Sequence, residues 1–155
     1  MDFPILSSLI ILPVVGSLFI LFIKNSSSKN FQNIKYVAIF VSTFNFLLSI
    51  YLWYLFDSST SEFQFTETKE WLRGFINYKV GIDGISILFI LLTTLITPLC
   101  VISVNNSITF RLKEFLIAIL VMESLMIGVF CSLDLVIFYL FFEAGLIPMF
   151  LIIGI

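Results

Sequence analysis

The chain has 155 residues, of which 60% are hydrophobic and 12% charged, and its mean hydropathy is +1.15. Soluble domains do not reach such values, so an integral membrane protein is implied. Histidine is absent, which removes the usual haem and zinc ligand and any Ser-His or Cys-His nucleophile, and the net charge of −2 leaves no basic surface for nucleic acid.

The first apolar run, Phe3 to Ile23, follows Asp2 rather than a basic segment, and no small-x-small cleavage site follows it. It reads as a membrane anchor and not as a signal peptide. No Arg-rich transit peptide is visible either, so a mitochondrial location would imply synthesis inside the organelle. Pro13 sits mid-span and is expected to bend the helix, whereas Pro4 falls in the first turn, where its missing donor costs nothing.

Lys24 to Lys35 reads as a short polar connection, and Tyr36 to Phe56 as the second span. That span ends in Tyr51, Trp53 and Tyr54, an aromatic cluster suited to the bilayer boundary. Residues 57–80 form the one substantial extramembrane segment. Within it, Ser61 to Glu67 alternates polar and aromatic residues, which predicts a short hairpin or edge strand on the membrane surface. Gly81-Ile82-Asp83-Gly84-Ile85-Ser86 introduces the third span, residues 84–104. Asp83 is expected to cap it by accepting free backbone donors, and the two flanking glycines are expected to permit the turn into the helix.

The fourth span runs from Phe115 to Ser132 and contains one acid, Glu123. Asp134 separates it from the fifth span, Leu135 to Ile155, and is expected to cap that helix. Cys100 and Cys131 lie far apart, without CxxC spacing, and read as small core residues. All eight Lys and Arg are expected in connections. Loops one and three hold five of them (Lys24, Lys29, Lys35, Arg111, Lys113), so those loops are predicted to face the cytoplasm or matrix and the N-terminus the opposite side.

The fifth span, LVIFYLFFEAGLIPMFLIIGI, is apolar except for Glu143, with Pro148 five residues on. At helical rise Glu143 lies about 12 Å from the start of that helix, where an ionised carboxylate costs at least ~2.5–3.5 kcal/mol. Such a group faces a partner, a water-filled cavity or a proton path, which makes Glu143 the leading candidate for a proton relay. Pro148 denies the carbonyl of Ala144 its usual donor and leaves an acceptor near the acid. If the fourth and fifth helices are straight, Glu123 and Glu143 differ in depth by only ~3 Å. Neighbouring carboxylates in low dielectric should not both ionise, so one could hold or pass a proton. For Glu123 a simple hydrogen bond, made in the protonated form to an adjacent helix, is the competing reading.

Three stretches, Phe138 to Pro148 (FYLFFEAGLIP), Gly81 to Ser86 (GIDGIS) and Phe56 to Phe65 (FDSSTSEFQF), resemble the chain 4 family of NADH:ubiquinone oxidoreductase, respiratory complex I. The resemblance implies an all-α, multi-pass transmembrane bundle of about five helices, the start of an antiporter-like inverted-repeat subunit of the membrane arm. It carries the family's fifth-helix glutamate onto Glu143, as a proton relay in transport coupled to electron transfer from NADH to ubiquinone. It further implies no cofactor in this chain, with NAD, FMN, iron–sulfur clusters and ubiquinone in other subunits. The partners implied are the other membrane-arm subunits of complex I and membrane lipids, in the mitochondrial inner membrane or a bacterial inner membrane. Members of the family are roughly three times longer and carry buried lysines in later helices. A companion chain supplying those helices is therefore expected. A structural or assembly remnant without its own proton path, and a cation/proton antiporter subunit, are the alternatives.

Overall fold

A bilayer core offers no water to backbone N–H and C=O groups, so apolar runs of about 20 residues close their hydrogen bonds internally as helices. The computed structural model describes residues 4–23, 28–72, 76–104 and 111–154. Helices α1 (Ile5–Phe22) and α2 (Ser28–Leu55) are followed by strands β1 (Gln64–Leu72) and β2 (Ile76–Ile82). Helices α3 (Gly84–Ser103), α4 (Leu112–Cys131) and α5 (Leu135–Gly154) complete the chain. All five helices are long and apolar enough to span a membrane.

The second helix begins eight residues before the expected Tyr36, because the polar turns from Ser28 onward continue the helix beyond the apolar part. Hydropathy marks where a helix meets lipid, not where it starts. Lys35 is accordingly a helical residue, and Lys69 and Lys79 belong to strands rather than loops. The expected start of the first span at Phe3, residues 24–27 of the first connection, residues 73–75 and 105–110, and the expected end of the fifth span at Ile155 lie outside the described residues.

Helix α4 is the hub, touching α1, α2, α3 and α5. Of its span 44% is buried, against 11% for α5, which lies on the outside of the bundle. Two apolar clusters sit at opposite ends. One, near the hairpin, gathers Leu6, Leu9, Leu52, Val80, Ile82, Ile87, Ile127 and Cys131. The other gathers Ile20, Ile34, Ala38, Val101, Leu116 and Leu120. Cys131 is buried, but Cys100 is exposed rather than part of a core.

The alternating segment becomes a full antiparallel hairpin, longer than the Ser61 to Glu67 stretch that announced it. Between the pairs Gln64↔Ile82 and Glu67↔Val80, β1 has one extra residue, a bulge at which Phe65 adopts φ 53°. A left-handed phenylalanine costs on the order of 1–2 kcal/mol. The hairpin lies across the helix ends. Leu133 N–H donates to the Lys79 carbonyl at 2.9 Å, fixing the α4–α5 turn to β2. Gly81 permits that contact, since a Cβ there would stand 2.7 Å from the Leu133 side chain. Gly84 has nothing within 4 Å, so its expected role in the turn finds no steric basis.

Glu67 of β1 also reaches α1, whose first residue follows Pro4 with no side-chain cap of its own. Its Oε1 accepts the Leu6 and Ser7 N–H groups at 3.0 and 3.3 Å, and Ser7 Oγ donates to Oε2. A carboxylate there satisfies orphan donors and opposes the positive end of the helix dipole. The half-buried Tyr78 hydroxyl stands 3.1 Å from Ser7 Oγ. Burial, aided by the Glu67 charge, holds its phenol above the usual range, although the Ser7 hydrogen bond opposes the shift. At the opposite end, Lys113 Nζ donates to the Leu21 and Ile23 carbonyls at 2.8 Å each, capping the C-terminus of α1.

Asp83 Oδ1 accepts the Ser86 N–H at 2.7 Å at the start of α3. Hydrogen bonds from Ser86 hold its carboxyl below the usual range. A depressed folded-state value means the cap contributes above the ordinary carboxylate range and is lost as pH falls through the lowered value. Asp83→Ala is expected to cost about 1 kcal/mol, and the gap from the parent should close at acid pH. Thermal unfolding at several pH values checks this; a gap that widens toward acid pH contradicts it.

Candidate functional site

Between the two apolar clusters the bundle is polar. Ser42, Asn45 and Ser49 on α2, Thr94 and Thr97 on α3, Glu123 and Ser124 on α4, and Ser17 on α1 are all buried. On α2 and α3 their spacing of three or four residues puts each set on one helix face. Such groups in a membrane must find partners in the protein, and most here do. Ser49 and Thr94 hydroxyls are 2.7 Å apart, joining α2 to α3. Ser124 Oγ donates to the Ile10 carbonyl at 2.5 Å, in the turn preceding Pro13, where the proline ring loosens the helix.

Glu123 occupies this layer with 2% of its surface exposed. Asn45 Nδ2 donates to its Oε1 at 2.9 Å. A groove of about 520 Å³ between α3 and α4 runs to Glu123 past Thr93, Thr97, Cys100 and Ser103.

Glu143 lies on a different surface. It is exposed on α5 and lines an open groove of about 570 Å³ with Leu140, Ala144, Leu146, Ile147 and Phe150, all from the same helix. Tyr139 lies one turn earlier on the same helix face, its hydroxyl close enough to the carboxylate for the two to interact. Similar depth therefore does not make the two acids neighbours; azimuth decides. Phe141 faces α4, since a Cβ on Gly128 would stand 2.6 Å from its ring. Glu143 is two residues further on, about 200° round the helix. Pro148 is buried, and α5 continues through it to Gly154. Asp134 Oδ1 accepts the Val136 N–H at 2.8 Å and the Ile137 N–H at 3.4 Å at the start of α5.

The Asn45 partner of Glu123 and the whole polar layer escaped the reading of the sequence. The signal was there: hydroxyls and an amide at 42, 45 and 49, then 94 and 97, recur at helical spacing within otherwise apolar runs. Among the described residues no three His, Cys, Asp or Glu side chains converge on a metal-sized site.

No family model matches the chain. Curated relatives do match it. NADH-ubiquinone oxidoreductase chain 4 of Marchantia polymorpha is 49% identical over 151 residues, covering 97% of this chain and 30% of that protein. The Arabidopsis thaliana protein of the same name is 48% identical with the same coverage. NADH-quinone oxidoreductase subunit M of Rhodobacter capsulatus is 55% identical over 124 residues, 80% of this chain and 24% of that protein. Across nearly all of its length the chain belongs with NADH-ubiquinone oxidoreductase chain 4 and bacterial subunit M, spanning about 30% of the length of those relatives.

Proposed function

We propose that this chain is a membrane-arm component of a proton-translocating NADH-quinone oxidoreductase, in which Glu143 takes up and passes on protons. The observation that carries the reading is the position of Glu143: an exposed carboxylate about 12 Å into a membrane helix. Lipid is the wrong neighbour for it, because an ionised carboxylate facing hydrocarbon costs at least ~2.5–3.5 kcal/mol. The apolar groove beside it, from Leu140 to Phe150, is a face shaped for further helices. The relatives are about three times as long as the stretch matched here, which gives those helices a source.

Tyr139, one turn earlier on the same face, then acts as a positioning residue beside the carboxylate while other helices supply the counter-charge and the onward path. Electron transfer to quinone and its cofactors belong to other subunits in this reading. The membrane is a mitochondrial or bacterial inner membrane. The N-terminus of α1 and the hairpin lie on its outer side in this reading, because the sequence around the first and third turns carries five Lys and Arg (Lys24, Lys29, Lys35, Arg111, Lys113) against three between residues 57 and 80.

Native mass spectrometry of the complex isolated with this chain in mild detergent tests the assignment. The expected result is a companion polypeptide at equal stoichiometry that carries the later helices, or those helices on a longer form of this chain. A complex with neither would leave Glu143 without a path and reduce the chain to scaffold.

A further inference from the structure

The polar layer contains an unbalanced pair. Asn45 donates to Glu123 Oε1, yet Glu123 Oε2 and Asn45 Oδ1 are both buried with no hydrogen-bond partner. These are two of the three orphaned buried side-chain atoms among the described residues. Both are acceptors, they belong to the same contacting pair, and one proton satisfies both.

We propose that Glu123 keeps its proton at rest and closes a cyclic acid–amide pair with Asn45, forming a protonation-dependent clasp between α2 and α4. Asn45 Nδ2–H donates to Glu123 Oε1, and Glu123 Oε2–H donates to Asn45 Oδ1. The ring leaves no orphan and buries no charge. An ionised Glu123 would instead present two acceptors to one amide and point a lone pair at the Asn45 carbonyl.

Among the described residues that line the groove with Glu123 none is a cation: Thr97 and Cys100 come from α3 and Ile152 from α5. Tyr78 and Lys79 of β2 lie at the hairpin end. Lys35 on α2 is ten residues from Asn45, about 15 Å along the helix, and Lys113 on α4 is equally far from Glu123. The Lys113 ammonium is held by the Leu21 and Ile23 carbonyls.

Loss of the proton breaks the second bond and leaves the carboxylate charged in a dry layer, so α2 and α4 are clasped only while the proton is bound. The groove past Ser103, Cys100 and Thr97 gives the proton a route from the end of the bundle where α3 finishes. The clasp holds whether or not Glu143 is a relay, because it depends on α2 and α4 alone.

Infrared difference spectroscopy of the assembled complex, parent against Glu123→Gln at neutral pH, is the test. The expected difference spectrum contains the carbonyl band of a protonated carboxylic acid, which shifts in D2O. Glutamine can form the same two bonds, so the variant should assemble normally. As a second measure, Asn45→Leu and Glu123→Leu are each expected to lower the amount of assembled chain about tenfold, and the double variant to restore it within about threefold. A difference spectrum showing only carboxylate stretches overturns the proposal, as does a double variant that merely adds the two single losses.

Discussion

Glu143→Gln is expected to cut proton passage through this chain by on the order of a hundredfold, the usual scale for losing a positioned proton-transfer group. The change is nearly isosteric and removes the ability to carry charge. Folding should not suffer, because Glu143 is exposed and its groove is built from α5 alone. The neighbouring Tyr139 hydroxyl can face an amide oxygen as readily as a carboxylate. The measurement is proton uptake by liposomes reconstituted with the complex, with NADH oxidation and subunit content followed on the same preparation. Pumping that persists at the parent ratio of protons to NADH, in a fully assembled complex, would remove Glu143 from the path.

The second large effect concerns packing. Gly128 lies where α4 and α5 meet, and a Cβ there would stand 2.6 to 2.8 Å from three atoms of the Phe141 ring. A ring cannot fold out of the way as a long flexible chain could. In a bilayer, close packing at small residues is a main source of helix association, since lipid replaces any hydrophobic drive. Gly128→Leu is therefore expected to cost at least ~1–3 kcal/mol and to release α5 from the bundle, lowering the assembled chain about tenfold. Gly84→Ala, with nothing within 4 Å, is the matched control and should assemble normally. Adding Phe141→Ala to Gly128→Leu should recover part of the loss, as quantitative blotting of the assembled complex would show. A Gly128→Leu chain at parent levels would mean that α5 is not held where the structure places it.

The five spans were readable because runs such as Leu135 to Gly154 admit no cheaper structure than a membrane helix. Relations between spans were less readable. Depth follows from counting residues, and on depth alone Glu123 and Glu143 looked like neighbours. Which way each acid points depends on which stripe packs, and that was set by Gly128 accepting Phe141. The hairpin was announced by its first strand only, since the second, Ile76–Ile82, runs into the segment opening α3 and owes its register to long-range pairing. The start of α2 was misjudged because polar residues can prolong a helix into water at no cost that hydropathy registers. Asn45 carries no charge and drew no attention, although a buried amide in a membrane helix needs a partner as surely as a carboxylate does.

The hydrogen bond from Ser124 to Ile10 crosses 114 residues of sequence. At about 5–20 residues per second of synthesis, roughly 5 to 25 s separate the making of α1 from the making of the side chain that completes it. Through that interval the turn loosened by Pro13 has no hydroxyl from α4, and for about its first half the α1 N-terminus also lacks Glu67. Helix α1 is thus translated well before its contacts are complete. A ribosome stalled before residue 124 is expected to leave α1 inserted but without its bond to α4, and so more open to cross-linking by the insertion machinery.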